Sequence, residues 1–155
     1  MTKSEFIYTT YIKTTPQKLW DALTNPEFIK QYWFGAHVES DWKAGSPWKL
    51  CFADGQVADA GEIVGNVPLT RLIIRWRNEW NPDFKAEGYS RCTFAIEAVE
   101  NLVKLTVTHG IDKESSKFIG GISDGWPKVL SNLKSLLETG QVVMKEHVDC
   151  RIKVA

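Results

Sequence analysis

Charge of one sign is what this sequence lacks first: 19 lysines and arginines stand against 19 aspartates and glutamates over 155 residues. A nucleic-acid partner needs a basic face for its phosphates, and none is in prospect. Electrostatic docking on an anionic membrane is disfavoured on the same ground. No run of 18 apolar residues occurs, so no membrane span is expected. The opening segment from Met1 to Thr10 has no apolar stretch of the secretory kind. Cysteine is scarce: Cys51, Cys92 and Cys150 are odd in number, widely spaced and never in a Cys-x-x-Cys pair. Neither a disulfide framework nor a metal site is expected from them, and a reducing cytoplasm is the expected location. Low-complexity tracts, linkers and repeats are missing from the first 140 residues, which read as one domain at 1–140 followed by an extension at 141–155.

What is present is aromatic. Seven tryptophans are many for this length, and such rings either fill a core or line a cavity for an apolar ligand. Glu5 to Lys13 reads as a first strand. Thr15-Pro16 and Asn25-Pro26 each offer a capping side chain followed by a proline suited to the first helical position, which predicts two short helices. From Ala36 to His109 the period becomes two: Trp48, Leu50 and Phe52, then Leu72, Ile74 and Trp76, then Cys92, Phe94 and Ile96, then Leu105 and Val107. Asp54-Gly55, Asn66 to Pro68, Asn81-Pro82 and Glu100-Asn101 are the turns of an antiparallel meander with one dry face. Ile122, Trp126, Val129, Leu130, Leu133, Leu136 and Leu137 share one stripe of a long helix that Gly140 ends, with Pro127 inside it. The fold class is α+β.

This order of elements resembles the START-like or SRPBCC superfamily, a helix-grip fold. More narrowly it resembles the family built on the C-terminal domain of the heat-shock-protein-90 ATPase activator. The resemblance is carried by Thr15 to Thr24, by Tyr32-Trp33-Phe34-Gly35, by Ser40 to Gly45, by Leu105 to His109, and by Gly125-Trp126-Pro127 through Glu138. It implies a curved antiparallel sheet around the long helix, with a groove or cavity between them that family members use for apolar molecules.

The expected function is therefore binding of a small apolar or aromatic ligand. Trp33, Phe34, Trp42, Trp48, Phe52, Ile74, Trp76, His109 and Trp126 are the candidate ligand-binding residues, although simple packing explains the tryptophans equally well. The alternatives are a cavity-based enzyme of the cyclase or hydrolase type and a co-chaperone-like or stress-response interaction module. Gly121 to Gly125 matches the Gly-x-Ser-x-Gly elbow, but a polar segment precedes it where a buried strand is required. Ser123 is not expected to be a nucleophile, and no catalytic residue, metal ligand or cofactor is assigned. His37 and His109 lack a third patterned metal ligand. Arg71, Arg75 and Arg77, with Glu62 and Asp59 opposite, read as a solvated cross-strand charge ladder. Val148, Cys150, Ile152 and Val154 alternate with polar residues, an added edge strand that could make a homodimer.

Overall fold

Three X-Pro steps each start a helix in the computed structural model, which describes residues 2–145. Helix α1 (Pro16–Thr24) is capped by Thr15, whose side chain accepts from the Lys18 N–H, and α2 (Pro26–Tyr32) by Asn25, which accepts from Glu27. The third is a correction to the sequence reading, since Asn81-Pro82 starts a one-turn helix α3 (Pro82–Ala86) instead of a simple turn. Asn81 Oδ1 accepts from both the Asp83 and Phe84 N–H groups. Proline at the first position gives up an N–H that would have had no partner there anyway.

Strands β1 (Ser4–Ile12), β2 (His37–Ser40), β3 (Pro47–Cys51), β4 (Val57–Val67), β5 (Arg71–Asn78), β6 (Ser90–Val99) and β7 (Leu102–Ile111) form one antiparallel sheet in the order β1-β7-β6-β5-β4-β3-β2. The first strand thus pairs with the last, and α1 and α2 carry the chain from one edge to the other. Period-two alternation sets the faces as the sequence indicates: Trp48, Leu50, Ile74, Trp76, Phe94, Leu105 and Val107 are buried, while Lys49, Arg71, Arg75 and Arg91 are exposed. Phe52 falls just past β3 and is half-buried.

Helix α4 (Lys117–Thr139) lies across the dry face. Its first turn is closed by Ser116, which accepts from the Ile119 N–H, and by Glu87, whose carboxylate accepts from Lys117 N–H and the Ser116 hydroxyl. Its last turn ends on Gly140 at φ 81°, a left-handed conformation that glycine adopts without strain. Pro127 sits inside the helix, so the Ser123 carbonyl loses its usual partner. Beyond Gly140 the chain is held by buried Asn132, whose Oδ1 accepts from Val143 and Met144 N–H and whose Nδ2 donates to the Met144 carbonyl. The alternating segment from Val148 to Val154 lies outside the described residues.

The expected charge ladder is half right. Glu62 pairs with Arg75 at 3.9 Å, and Arg77 forks onto Glu79 at 2.6 and 3.0 Å. Asp59 does not join it. It shares its side of β4 with Gly61 and buried Ile63, opposite Asn78 on β5, and it is buried. Gly61 occupies the position between Trp48 and Trp76 in the register, and a Cβ there would come within 1.6 Å of the Arg75 carbonyl oxygen. Gly61→Ala is expected to cost roughly 3 kcal/mol or more, because strands rather than a side chain must shift. Urea denaturation checks this, and a loss below about 0.5 kcal/mol would show that β4 and β5 slide freely.

Candidate functional site

A cavity of about 480 Å³ opens between the sheet, the α2–β2 turn, α3 and the front half of α4. Its size falls within the range of small-molecule sites. Rings make most of the wall. Trp33 stands 6.2 Å from Trp76 and 5.2 Å from Trp126, and Trp76 and Trp126 meet edge to face at 5.8 Å. On the other side Trp80 lies between Phe52 at 6.4 Å and Phe84 at 6.5 Å. Helix α4 adds Gly121, Ile122, Gly125 and Val129 beside Trp126, so backbone and aliphatic side chains complete the wall. Phe34 enters from the α2–β2 turn at φ 52°, a conformation uncommon for a bulky residue.

Of the nine candidates from the sequence, Trp33, Phe34, Phe52, Trp76 and Trp126 line this space. The other four stand outside its wall, each for a visible reason. Trp48 lies behind Trp76 with ring centroids 4.4 Å apart, and Ile74 is fully covered deeper along β5. Trp42 is fixed in the loop after β2, where its N–H donates to Ser40 Oγ and its carbonyl accepts from Asn66 Nδ2. His109 is enclosed in the core. Asp59, Asn78, Trp80 and Phe84 line the cavity without having been singled out. Trp80 precedes the unforeseen helix α3 and Phe84 lies within it, and Asp59 and Asn78 are cross-strand partners on the inward parity.

The two titratable groups of this region are in opposite situations. Ser90 Oγ donates its single proton to the Trp76 carbonyl at 2.8 Å, so the 2.8 Å bond between Ser90 Oγ and His109 Nε2 carries the imidazole proton. Nδ1 then accepts from Trp126 Nε1 at 3.2 Å. Both ring nitrogens are satisfied in the neutral form, and burial pushes the imidazole down to about 3. The Asp59 carboxyl is pushed up to about 7, chiefly by burial; the donor groups of Trp76 and Asn78 oppose the rise and the charge of Glu79 adds to it. The Trp76 indole N–H is buried without a hydrogen-bond partner, and its dipole favours the Asp59 carboxylate.

Residues 13–138 match the family described as "Activator of Hsp90 ATPase homolog 1-like protein". The chain belongs to this family. Similar solved structures include protein MLL2253 from Mesorhizobium loti, with 23% identity over 86% of this chain and 96% of that one at a TM-score of 0.75. The Aha1 dimer from Colwellia psychrerythraea is 22% identical over 88% and 98% of the two chains, with a TM-score of 0.73. ChR145 from Cytophaga hutchinsonii reaches 31% identity over 88% and 95%, with a TM-score of 0.69. No curated protein matches the chain by sequence. The helix-grip fold is thus established for this family member, with α4 as the gripped helix, and no helix among the described residues is long and apolar enough to cross a membrane.

Other chemistry in the family member is sparse. Ser123 lies within α4, with its hydroxyl donating to the Gly120 carbonyl at 2.7 Å, so the strand-turn-helix of a nucleophile elbow is not formed. His37, Glu39 and Cys51 on paired strands β2 and β3 bring donor atoms within 4.8 Å of one another, types that zinc accepts. The thiol is raised by burial and by Glu39, with Lys49 acting against that rise.

Asp59 and His109 predict the shape of the pH-stability profile. Asp59 binds its proton more tightly folded than unfolded, so its favourable contribution is full below pH 3.8 and is lost as pH rises through about 7. His109 binds its proton less tightly folded, so its contribution is full above pH 6.5 and is lost as pH falls toward about 3. Between pH 3.8 and 6.5 the two slopes, each about 1.4 kcal/mol per unit, cancel. Wild-type stability is expected to be nearly flat across that window. Asp59→Asn should be more stable than wild type near neutrality and should rise with pH from 4 to 6.5. Denaturant titrations at several pH values check this; parallel wild-type and variant profiles would refute the buried, uncompensated carboxyl.

Proposed function

We propose that the protein binds a small apolar or aromatic molecule in this cavity, with Asp59 and Asn78 as the polar groups that orient it. The observation that carries the reading is the wall itself: aromatic rings around about 480 Å³ with a buried carboxyl facing in. A core packed for stability alone closes its voids, because each lost contact weakens dispersion and apolar burial. Membership of the family supports the reading at the level of a START-like domain.

A second reading, an acid–base enzyme of the cyclase or hydrolase type, is favoured by one observation: Asp59 exchanges its proton near neutrality. Such an enzyme needs a second proton-handling group facing the first, and among the described lining residues Cys51 is the other titratable side chain, its thiol raised. The co-chaperone-like reading rests on the family description, and the homodimer on the Colwellia protein having been solved as a dimer. Light scattering of the full chain tests the latter.

Gly125 separates binding from folding. A Cβ at this position meets nothing within 4 Å, and the residue borders the cavity. Gly125→Leu is expected to fold at least as stably as wild type, because glycine inside a helix costs about 1 kcal/mol relative to alanine. The same change should weaken binding of the neutral probe N-phenyl-1-naphthylamine by roughly tenfold, followed by its fluorescence. Undiminished probe binding by a folded variant would place the ligand elsewhere.

A further inference from the structure

Four carboxylates among the described residues are met by bases: Glu79 by Arg77 and Lys85, Glu62 by Arg75, Glu138 by Lys134, Asp112 by Lys3. Asp59 differs from them, and from the exposed carboxylates that water solvates, in being buried. It is buried at the cavity wall, and among the described residues no lysine, arginine or histidine lines the cavity or pairs with it. A buried carboxylate without a counter-charge is costly, and proteins either neutralise it or supply a cation.

Its surroundings hold it as an acceptor. Asn78 Oδ1 accepts from the Asn81 N–H at 2.9 Å, which commits the amide oxygen and leaves the amide hydrogens for Asp59. The Trp76 indole N–H, buried without a hydrogen-bond partner, acts on the same group as a donor dipole. Both neighbours are donors in this setting, and both favour the ionised form. Around them the wall includes the rings of Trp33, Trp76 and Trp80, the side-chain type that attracts a cation electrostatically. The cavity thus provides negative potential from a carboxylate and from rings, with an apolar remainder.

We propose that the cavity selects a cationic ligand: an aromatic or apolar amine whose protonated nitrogen pairs with Asp59 while its hydrocarbon lies against the tryptophan rings. This rests on the binding reading above and names the ligand class for the same site. A neutral ligand of equal shape leaves the Asp59 charge uncompensated, and an anionic one adds a like charge beside it. Selectivity among isosteres is then set by charge, since hydrogen bonds to charged groups contribute more than neutral ones.

Three probes of one shape test it: 1-naphthylmethylamine, 1-naphthylmethanol and 1-naphthoate, each titrated calorimetrically into the full chain at about pH 7.5, where the amine is protonated. The amine is expected to bind roughly tenfold tighter than the alcohol, and the carboxylate weakest. Asp59→Asn keeps the shape and removes the charge, and should bring the amine-to-alcohol ratio within about twofold. Equal binding of amine and alcohol by wild type, an amine preference that survives in Asp59→Asn, or a preference for naphthoate each overturns the cationic assignment while leaving the cavity as a binding site. If none of the three binds, the cavity reading falls and this one with it.

Discussion

One hydrogen-bonded relay holds the molecule in register: Trp126 to His109, His109 to Ser90, Ser90 to the Trp76 carbonyl. It joins α4 to β7, β6 and β5 in a line through the core, at a place where apolar contacts alone would let a helix slide on a sheet. Because the relay has a direction, with every proton donated one way, it accepts one tautomer of one residue in one rotamer. The tryptophan cluster takes its positions from it. Trp126 and Trp76 are both members of the relay, and Trp33 and Trp48 pack against Trp76. The cavity is the space left beyond Trp76 and Trp126, and the sites of tightest packing and of no packing share these two rings.

The same rings separate two buried titratable groups with opposite consequences. His109, behind the wall, is neutral and fully partnered, so it stabilises the fold and has nothing left to offer a ligand. Asp59, in front of it, has donor neighbours and, among the described residues, no counter-charge. Proteins retain such a group where a site needs it, because well-packed apolar substitutes are commonly more stable. The distinction between a core residue and a site residue is therefore one of satisfied valence, since both residues are buried.

Most of the architecture was legible from periodicity. Alternation placed the inward faces of β3, β5, β6 and β7, and the stripe from Ile122 to Leu137 placed α4. The site was half legible. Ring type alone nominated Trp33 and Trp76 together with Trp42 and Trp48, because nothing local distinguishes a tryptophan that touches empty space from one behind it. Asp59 was misassigned although its parity was visible: it and Glu62 are three residues apart on one strand, so they cannot share a face. Charge complementarity to the arginines outweighed that geometric fact. Helix α3 was missed because a single turn is too short to show a period, even though Asn81-Pro82 repeats the device of Asn25-Pro26.

The pairing of β1 with β7 joins Ser4 to Ile111 and Ile12 to Val103. On a ribosome, the first strand emerges long before its partner exists. At roughly 5–20 residues per second, the wait for about a hundred residues amounts to some 5 to 20 seconds, during which β1 carries open hydrogen-bonding groups and the exposed apolar side chains of Ile7 and Tyr11. Sheet closure is consequently a late, non-local event in the life of each new chain, and slow by the logic of sequence separation. Until then the nascent domain carries an unpaired strand edge of the kind that invites pairing with other chains.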